Sequence, residues 1–393
     1  MARITDDRVE RAMEVARGAG EEGLGVAAYL DGELIINTWA GLADSATGRV
    51  VDERTLFQVF SVTKAFTATA LHLQAERGLV DYDLPIARYW PEFGARGKHR
   101  ITVRDALCHR AGIPQMPTGV TPELMFDWDW MIRQIESYRP WFPAGTANAY
   151  HVLVWGWLIG EVIQRTDPLG RSVDRFIQQE VCEPLGITDF HLGLAKDQAH
   201  RVTKLAADWE PTRDSDHLRE AAQPVAVAAA PPLHNREDTW AACLPGAGGI
   251  ANAESVARLF AMLAGGGALG RTRLLSTARV HACRRPRDDS DAPDEMFETP
   301  AWIGQGGYWL GGDLRRRIPA DGSLPAVLNQ PGAGGSTGWA ELDTGLAVAI
   351  CHNRQFVVDR KDPGFTARIT PIADAVREVA RERAGTERPT VAR

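Results

Sequence analysis

The stretch Phe57-Gln58-Val59-Phe60-Ser61-Val62-Thr63-Lys64 carries a strand-like apolar run into residues 62–78, where apolar side chains recur at helical spacing. Gly78 suits the position just past the end of that helix. The stretch also holds the only Ser-x-x-Lys in the chain. It therefore predicts a strand that enters a long helix at a serine, with a lysine almost one turn further along.

Strand patterns lie on both sides of this junction. Upstream, residues 24–30 and 33–40 alternate around Asp31-Gly32, a tight-turn signal that predicts a β-hairpin. Downstream, four alternating or apolar runs follow, and a turn at 343–345 joins the last two as a second hairpin. These runs are residues 303–310, 326–330, 338–342 and 346–352.

The middle of the chain is helical and rich in loops. Helical patterns there include residues 102–109 with Thr102 as N-cap, and residues 150–165, 172–181 and 253–264. Helices are also predicted near the two ends, at Arg8–Arg17 and at Pro371–Ala384. The second of these has Thr370 as its expected N-cap and Gly385 as its expected stop.

The order of these elements predicts an α+β fold. One antiparallel sheet, built from both ends of the chain and flanked by the terminal helices, is interrupted by an all-α insert. We assign residues 1–80 and 291–393 to the sheet domain, and residues 81–290 to the all-α domain with its loops. We expect the active site to lie between the two domains.

Ser61 and Lys64 form a candidate nucleophile and base. Residues three apart share one face of a helix, so the lysine amine can lie beside the serine hydroxyl. A neutral, partly desolvated lysine can accept the serine proton. The Ser61 N–H at the start of the helix can stabilise an oxyanion.

Two further segments can complete such a site. The loop Pro143–Asn148 leads to Tyr150, whose hydroxyl can relay a proton at the start of the helix predicted there. The glycine-rich run Gln330-Pro331-Gly332-Ala333-Gly334-Gly335-Ser336 lies between two strand patterns. Its glycines permit close approach of the backbone to a ligand, and the Ala333 N–H is a candidate second oxyanion donor.

Taken together, these motifs resemble the class C β-lactamase and penicillin-binding-protein superfamily, and within it the family VIII carboxylesterases. The resemblance spans nearly the whole chain and is far more specific than any single motif. It rests on residues 57–64, Leu107–Pro114, Tyr150–Glu161, Pro184–Ile187, Gly246–Gly249 and Gly332–Ser336.

The resemblance implies a β-lactamase-like fold and a set of roles at the site. Ser61 would be the acylated nucleophile, Lys64 its base and Tyr150 the second proton-transfer group. The N–H groups of Ser61 and Ala333 would form the oxyanion hole. Side chains or backbone expected to contact substrate are His151, Gln330, Gly332 and Gly334.

Two departures from the β-lactamase pattern bear on the substrate. The family's Tyr-x-Asn is Tyr150-His151-Val152 here, and its Lys-Thr-Gly is Gln330-Pro331-Gly332. The missing lysine is the cation that would hold a substrate carboxylate. A neutral ester loses little by this change, so the sequence favours a serine esterase that acts on a small-molecule ester, with short acyl esters as the first expectation.

Other functions remain open on the sequence. The same acyl-enzyme can pass its acyl group to an alcohol or amine of a metabolite, which would make the protein an acyltransferase. A weak β-lactamase or D-aminopeptidase is a further alternative within the enzymes. A non-catalytic binding protein on the same fold is disfavoured by the intact set of Ser61, Lys64 and Tyr150.

A second serine motif competes with Ser61. Gly334-Gly335-Ser336-Thr337-Gly338 matches the Gly-x-Ser-x-Gly elbow of α/β-hydrolases, and Asp343 and His352 follow it. That elbow turns from a strand into a helix, whereas a strand hairpin follows here. The sequence therefore disfavours Ser336 as the nucleophile.

Composition restricts the partners. The 393 residues carry 44 Lys and Arg against 51 Asp and Glu, a net charge of −7, which argues against nucleic acid as a partner. No apolar window reaches the length of a membrane span, and the first residues lack an apolar signal core. We expect no membrane association, a cytoplasmic location, and a monomer or homodimer.

Cysteines, histidines and aromatic residues complete the prediction. The five cysteines have no Cys-x-x-Cys spacing, and the histidines show no metal-binding pairs, so we expect reduced thiols, no metal and no cofactor. Aromatic residues crowd one stretch. Most of them are expected to pack in the core, and a few to line an apolar substrate pocket. They are Phe126, Trp128, Trp130, Tyr138, Trp141 and Phe142.

Overall fold

The N-terminal hairpin turns at Asp31 and Gly32, which both adopt left-handed backbone angles, with φ of 48° and 83°. The computed structural model describes residues 2–311, 326–356 and 364–387, without the side chains of 364–367 and 386–387. Its strands are β1 (Gly23–Leu30), β2 (Glu33–Asp44), β3 (Arg49–Val50), β4 (Phe57–Phe60), β5 (Phe190–His191), β6 (Ala206–Ala207), β7 (Gly249–Ala251), β8 (Ala268–Leu269), β9 (Thr272–Arg273), β10 (Trp309–Leu310), β11 (Val327–Pro331), β12 (Thr337–Glu341), β13 (Leu346–His352) and β14 (Arg354–Gln355).

Helices occupy most of the middle of the chain and both flanks of the sheet. They are α1 (Asp7–Gly18), α2 (Thr63–Glu76), α3 (Val103–Leu107), α4 (Pro122–Phe126), α5 (Trp128–Ser137), α6 (Trp155–Thr166), α7 (Val173–Ile177), α8 (Glu183–Leu185), α9 (His217–Ala222), α10 (Pro231–His234), α11 (Glu237–Ala241), α12 (Ala253–Ala264), α13 (Thr277–Cys283) and α14 (Gly364–Glu387). Short 3₁₀ turns lie at Ile86–Arg88, Pro91–Gly97, Lys196–Arg201, Val225–Val227 and Ala333–Gly335, and a π turn at Gln178–Cys182.

The main sheet joins the two ends of the chain. Its strand order is β10-β11-β12-β13-β1-β2-β3, and every neighbouring pair is antiparallel. The central pair is β1 with β13, in which Leu24 lies opposite His352 and Leu30 lies opposite Leu346. The predicted α+β fold, with one antiparallel sheet built from both termini, is confirmed.

The two faces of the sheet are covered by different helices. Side chains alternate along β13, because successive residues of a strand point to opposite faces. Leu346, Val348 and Ile350 pack in one cluster with α1 and α14, whereas Ala347 and Ala349 pack in another with α12. The predicted flanking by both terminal helices is confirmed. The small alanines let α12 approach its face of the sheet closely.

The junction at Ser61 is tied to the sheet through α12. Strand β4, which ends just before Ser61, pairs with β7 in a three-stranded sheet of order β4-β7-β5. Strand β7 leads directly into α12, which lies on the main sheet. Residues 81–290 thus contribute this helix and five short strands in addition to the helices of the middle region.

Three predicted elements have wrong boundaries. Helix α6 begins at Trp155 rather than Tyr150, and only Trp309 and Leu310 of the predicted 303–310 run form a strand of the main sheet. Helix α14 begins at Gly364, so Thr370 is not its N-cap, and it continues past Gly385 to Glu387. Ile369 and Ile372 on either side of Pro371 are buried against the sheet, and this packing maintains the helix through the missing proline N–H.

The cysteines are free thiols, as the sequence predicts: four are buried, and Cys243 is half-buried. Of the helices in the described ranges, none has both the length and the apolar character needed to cross a bilayer.

Candidate active site

Ser61 lies at a sharp turn from strand to helix. Phe60 just before it has a φ of 46°, a left-handed conformation that costs a non-glycine residue on the order of 1 kcal/mol or more. Thr63 fixes this turn, since its hydroxyl donates to the Phe60 carbonyl and accepts the Gly249 N–H at 2.8 Å. The turn leaves the Ser61 side chain partly exposed at the junction, while its neighbours on both sides are buried.

Lys64 is completely buried beside Ser61. Its Nζ lies 3.1 Å from Ser61 Oγ and donates to the carbonyl oxygens of Val152 at 2.8 Å and Gly246 at 2.7 Å. Burial lowers the pKa of this amine to about 7, and within the described ranges no carboxylate pairs with it to oppose that shift. The predicted juxtaposition of serine and lysine is present.

Tyr150 lies in the loop before α6, where its ring faces the Lys64 amine at 5.1 Å from the ring centre. The Tyr150 N–H donates to Asp294 Oδ1 at 3.0 Å, and its ring stacks on His109 with centroids 4.3 Å apart. Burial and, to a smaller extent, the Asp294 carboxylate raise the pKa of Tyr150 to about 12. The Ser61 hydroxyl faces the phenol oxygen and opposes this rise by stabilising a tyrosinate.

The glycine-rich run approaches Ser61 from the edge of β11. A Cβ built on Gly332 would lie 2.5 Å from the Val59 carbonyl oxygen, so only a glycine allows this close contact with β4. The turn is closed by the Gly332 N–H to Ser336 O at 2.6 Å and the Gly335 N–H to Gly332 O at 3.2 Å. Neither bond uses the N–H of Ala333, which is exposed at the tip of the turn.

The other predicted substrate contacts lie in different surroundings. Gln330 is completely buried, and its amide faces the Tyr150 hydroxyl. Gly334 has a φ of 85°, and a Cβ there would lie 2.8 Å from Gln355 Cγ, so this residue packs against β14. Gln330 therefore contacts Tyr150, and Gly334 contacts Gln355.

His151 does not offer the substrate contact expected from the sequence. Its ring is fully buried, with Nδ1 2.6 Å from Ala149 O and Nε2 accepting the Ile113 N–H at 3.3 Å. Burial lowers the pKa of the imidazole to about 4, so the ring is neutral. Because both nitrogens are used by the backbone, the side chain supports the loop and offers no polar atom to a substrate.

Ser336 lies in a closed environment. Its side chain is 1% exposed, and its Oγ accepts the His352 N–H at 3.2 Å and contacts His352 O at 3.5 Å. Thr337 begins strand β12 directly afterwards, so no helix follows the serine. The geometry of a nucleophile elbow is absent, in agreement with the sequence interpretation.

Sequence reasoning missed several residues around Tyr150. Phe297 and Trp309 pack against its ring at centroid distances of 5.4 Å and 5.7 Å, whereas His109 covers the other side. The aromatic stretch packs largely against the main core, as expected for most of its members, through Phe126, Trp128, Trp130 and Tyr138. No local motif marks residues 294–309 as neighbours of Tyr150, because only the folded chain brings them together.

Comparisons with known proteins agree with this fold. A family model described as Beta-lactamase matches residues 5–369. The Esterase/beta-lactamase LipL of Mycobacterium tuberculosis (strain ATCC 25618 / H37Rv) is 33% identical over 344 residues, which is 84% of this chain and 76% of LipL. A solved family VIII carboxylesterase aligns with a TM-score of 0.84 at 29% identity over 95% of this chain and 99% of its own. A penicillin-binding protein homolog from Caulobacter crescentus aligns with a TM-score of 0.82 at 28% identity, with the same coverage.

These matches confirm the resemblance inferred from the sequence motifs, and they extend over nearly all of the sheet and of the helical middle region. The fold and the relatives together identify an enzyme. This chain is a serine hydrolase that belongs to the Beta-lactamase family.

Proposed function

We propose that this protein hydrolyses carboxylic esters through an acyl-enzyme on Ser61. The observation that carries the proposal is the buried Lys64 amine, 3.1 Å from a partly exposed serine hydroxyl and without a carboxylate partner in the described ranges. A lysine on a protein surface stays protonated at neutral pH and cannot act as a base. Burial is what makes this one a base for the serine.

The hydrogen bonds of Lys64 also orient it. The carbonyl oxygens of Val152 and Gly246 take two N–H groups of the amine. In the neutral amine, the remaining tetrahedral direction is a lone pair, and it points toward Ser61 Oγ. As Ser61 Oγ attacks the ester carbonyl carbon, its proton passes to Nζ, and the carbonyl oxygen becomes an oxyanion.

Tyr150 acts as a proton donor in this scheme. A pKa of about 12 keeps the phenol protonated at neutral pH, so it can donate to the leaving alkoxide oxygen as the C–O bond breaks. The Tyr150 phenolate then takes up the proton that the Lys64 amine received from Ser61, since the amine faces the tyrosine. A water molecule, deprotonated by the same amine, cleaves the acyl-enzyme and restores the Ser61 hydroxyl.

The oxyanion is stabilised by backbone N–H groups of Ser61 and Ala333. The hydrogen bonds that form the two turns use other N–H groups: Val62 N–H bonds to Val59 O, and Gly332 N–H bonds to Ser336 O. Neither bond uses the N–H of Ser61 or of Ala333. The close contact of Gly332 with β4 supports this pairing of donors from the two sides of the site. Fixed donors of this kind lower the barrier by about 3 kcal/mol each in well-studied hydrolases.

Neutral esters fit the site better than β-lactams. Gln330 takes the place of the cation that holds a β-lactam carboxylate in the family's pattern, and an amide supplies no charge. The relative LipL is named as both an esterase and a β-lactamase, which favours slow β-lactam hydrolysis as a second activity of this chain. We therefore expect esters to be turned over much faster than lactams.

A labelling experiment tests the proposal. The protein is treated with a fluorophosphonate probe, the adduct is mapped by mass spectrometry, and turnover of p-nitrophenyl butyrate and nitrocefin is compared. We expect the label on Ser61 and faster ester turnover. A label on Ser336, no label on the folded protein, or faster turnover of nitrocefin would each overturn the proposal.

A further inference from the structure

The loop that carries Tyr150 is held by a buried ion pair from a distant part of the chain. Asp294 and Arg287 are both almost fully buried, and the Arg287 guanidinium donates to Asp294 Oδ2 at 3.0 Å. The other carboxylate oxygen, Oδ1, accepts the N–H of Tyr150 and that of Met296, each at 3.0 Å. Each oxygen of this carboxylate therefore has its own partners.

We propose that Asp294 is a positioning residue for Tyr150, fixing the phenol beside Ser61 and Lys64 through a bond to the tyrosine backbone. The inference rests on the proposed function, since it assigns Asp294 a purpose through the proton transfer at Tyr150. Asp294 does not touch the reacting atoms. Its effect on the reaction passes entirely through the tyrosine.

Further hydrogen bonds hold the Tyr150 loop at Asn148. The Asn148 carbonyl accepts the Glu295 N–H at 2.8 Å, and the Asn148 amide donates to Asp289 O at 2.8 Å. Arg110 donates to Asn148 Oδ1 at 2.6 Å. Residues 287–296 thus hold the loop at two positions, Asn148 and Tyr150.

Arg287 links this segment to the other side of the tyrosine ring. Its guanidinium donates to Cys108 O at 2.8 Å and to Ala301 O at 3.0 Å. Cys108 directly precedes His109, whose ring stacks on Tyr150. A buried ion pair adds little stability compared with apolar residues of the same size, whereas it can fix geometry. Here the pair joins Asp294, which binds the Tyr150 backbone, to the segment next to His109, which stacks on the Tyr150 ring. This position favours a positioning role.

The charge of Asp294 gives the role a measurable signature. The titratable and charged groups that face Tyr150 are Lys64, the neutral His109 and Asp294 with its partner Arg287, together with the uncharged Ser61, Gln330 and Trp309. Removing the Asp294 charge lowers the pKa of Tyr150, because less negative charge then opposes the tyrosinate. The alkaline limb of kcat therefore moves to lower pH in Asp294→Asn.

The experiment compares Asp294→Ala, Asp294→Asn and Tyr150→Phe, singly and combined, in steady-state ester hydrolysis. We expect Asp294→Ala to lower kcat about 10- to 100-fold with KM within about 2-fold, since a misplaced proton donor slows chemistry rather than binding. Asp294→Asn retains an acceptor oxygen for the Tyr150 N–H, so it should recover part of the loss and show the alkaline shift. Asp291→Asn is the matched control, because this exposed acid of the same segment bonds only to Trp302 Nε1 among the described residues.

The double variant separates the possible outcomes. If Asp294 acts through Tyr150, Asp294→Ala adds almost nothing to Tyr150→Phe. Full additivity, or a folded Asp294→Ala with normal kcat, overturns the inference and leaves the proposed function intact. A Tyr150→Phe variant with normal kcat overturns both. If Asp294→Ala does not fold, Asp294→Asn decides the question, and an unshifted pH profile in that variant overturns the inference.

Discussion

Ser61 and Ser336 both lie in motifs of serine hydrolases, yet their surroundings are opposite. Ser61 is partly exposed and has a buried amine 3.1 Å from its hydroxyl. Ser336 is 1% exposed, and its hydroxyl is bonded to the backbone of His352. The comparison teaches that a motif supplies a nucleophile only where the hydroxyl is accessible and a neighbouring base has a free lone pair.

The Ser336 region even contains the residue types of a triad. His352 Nδ1 lies 2.9 Å from Glu21 Oε2, and both side chains are buried. The Ser336 hydroxyl, however, contacts the His352 backbone and not the imidazole, so no proton can pass along these three residues. Four predictions test this distinction.

The largest difference in activity is expected between variants of the two serines. Ser61→Ala removes the proposed nucleophile and should lower kcat/KM for an ester about 10⁴-fold or more. Ser336→Ala should leave kcat/KM within about 2-fold and lower the unfolding free energy by about 1 kcal/mol through the lost hydrogen bond. Steady-state assays and denaturant unfolding check both. The opposite ranking of the two variants would assign the chemistry to Ser336.

The next effect concerns the base. With a pKa of about 7, Lys64 is protonated at acidic pH and has no lone pair, so kcat/KM should rise with pH through about pH 7. Lys64→Met should lower kcat/KM about 10²- to 10⁴-fold, as expected for the loss of a general base, and abolish this rise. The measurement is a pH–rate profile.

Lys98→Met provides a matched control for Lys64→Met. Lys98 is also completely buried, and it donates to the carbonyl oxygens of Ala95, Glu136 and Tyr138. Burial lowers the pKa of this amine to about 8, but its described hydrogen bonds go to backbone carbonyl oxygens and not to a serine hydroxyl. Per folded molecule, Lys98→Met should retain the activity and its pH profile. If Lys98→Met lost as much activity as Lys64→Met, the loss would reflect the removal of a buried lysine and not of a base beside Ser61.

A smaller effect on kcat is expected from a substitution at Gly332, which lies between the Ser61 turn and the Ser336 turn. A Cβ at Gly332 would clash with Val59 O at 2.5 Å and push the edge of β11 away from Ser61. Gly332→Ala should therefore lower kcat about 10-fold or more by moving the Ala333 N–H from the oxyanion. Gly18→Ala, in open space at the end of α1, is the control and should change nothing. Unchanged kcat in Gly332→Ala would remove Ala333 from the oxyanion hole.

The smallest effect on activity is expected from Glu21→Gln. The substitution weakens the contacts of Glu21 with His352 and Arg368, so the unfolding free energy should fall by about 1–3 kcal/mol. Its kcat should stay within about 2-fold of the original. Thermal unfolding and ester turnover give the two values. A large fall in kcat with unchanged stability would bring the His352 region into the reaction.

Much of the fold could be predicted from local patterns. The hairpin at Asp31-Gly32 and helix α12 followed from turn chemistry and apolar spacing, and α12 was predicted with its observed ends. The proline in α14 misled the prediction because burial of Ile369 and Ile372 outweighs the local signal. Tertiary packing of this kind leaves no mark within a short window of sequence.

The candidate site was likewise predictable where local geometry determines it, and not where distant residues meet. Ser61 and Lys64 are three residues apart, so helix geometry alone brings them together. Asp294 contacts Tyr150 across more than 140 residues, and His151 is occupied by backbone groups that no motif reveals. The left-handed Phe60 is also without a signal, since phenylalanine disfavours that conformation and is held there by the fold.

The pairing of β1 with β13 sets the order in which the parts of the enzyme come together on the ribosome. Strand β1 is made early, yet its central partner is among the last strands to emerge, and until then β1 pairs only with β2. The glycine-rich turn that approaches Ser61 belongs to the same late hairpin region. A nascent chain therefore carries its serine and lysine long before the opposite wall of the site exists, and chaperones meet an unfinished sheet with an open edge during that interval.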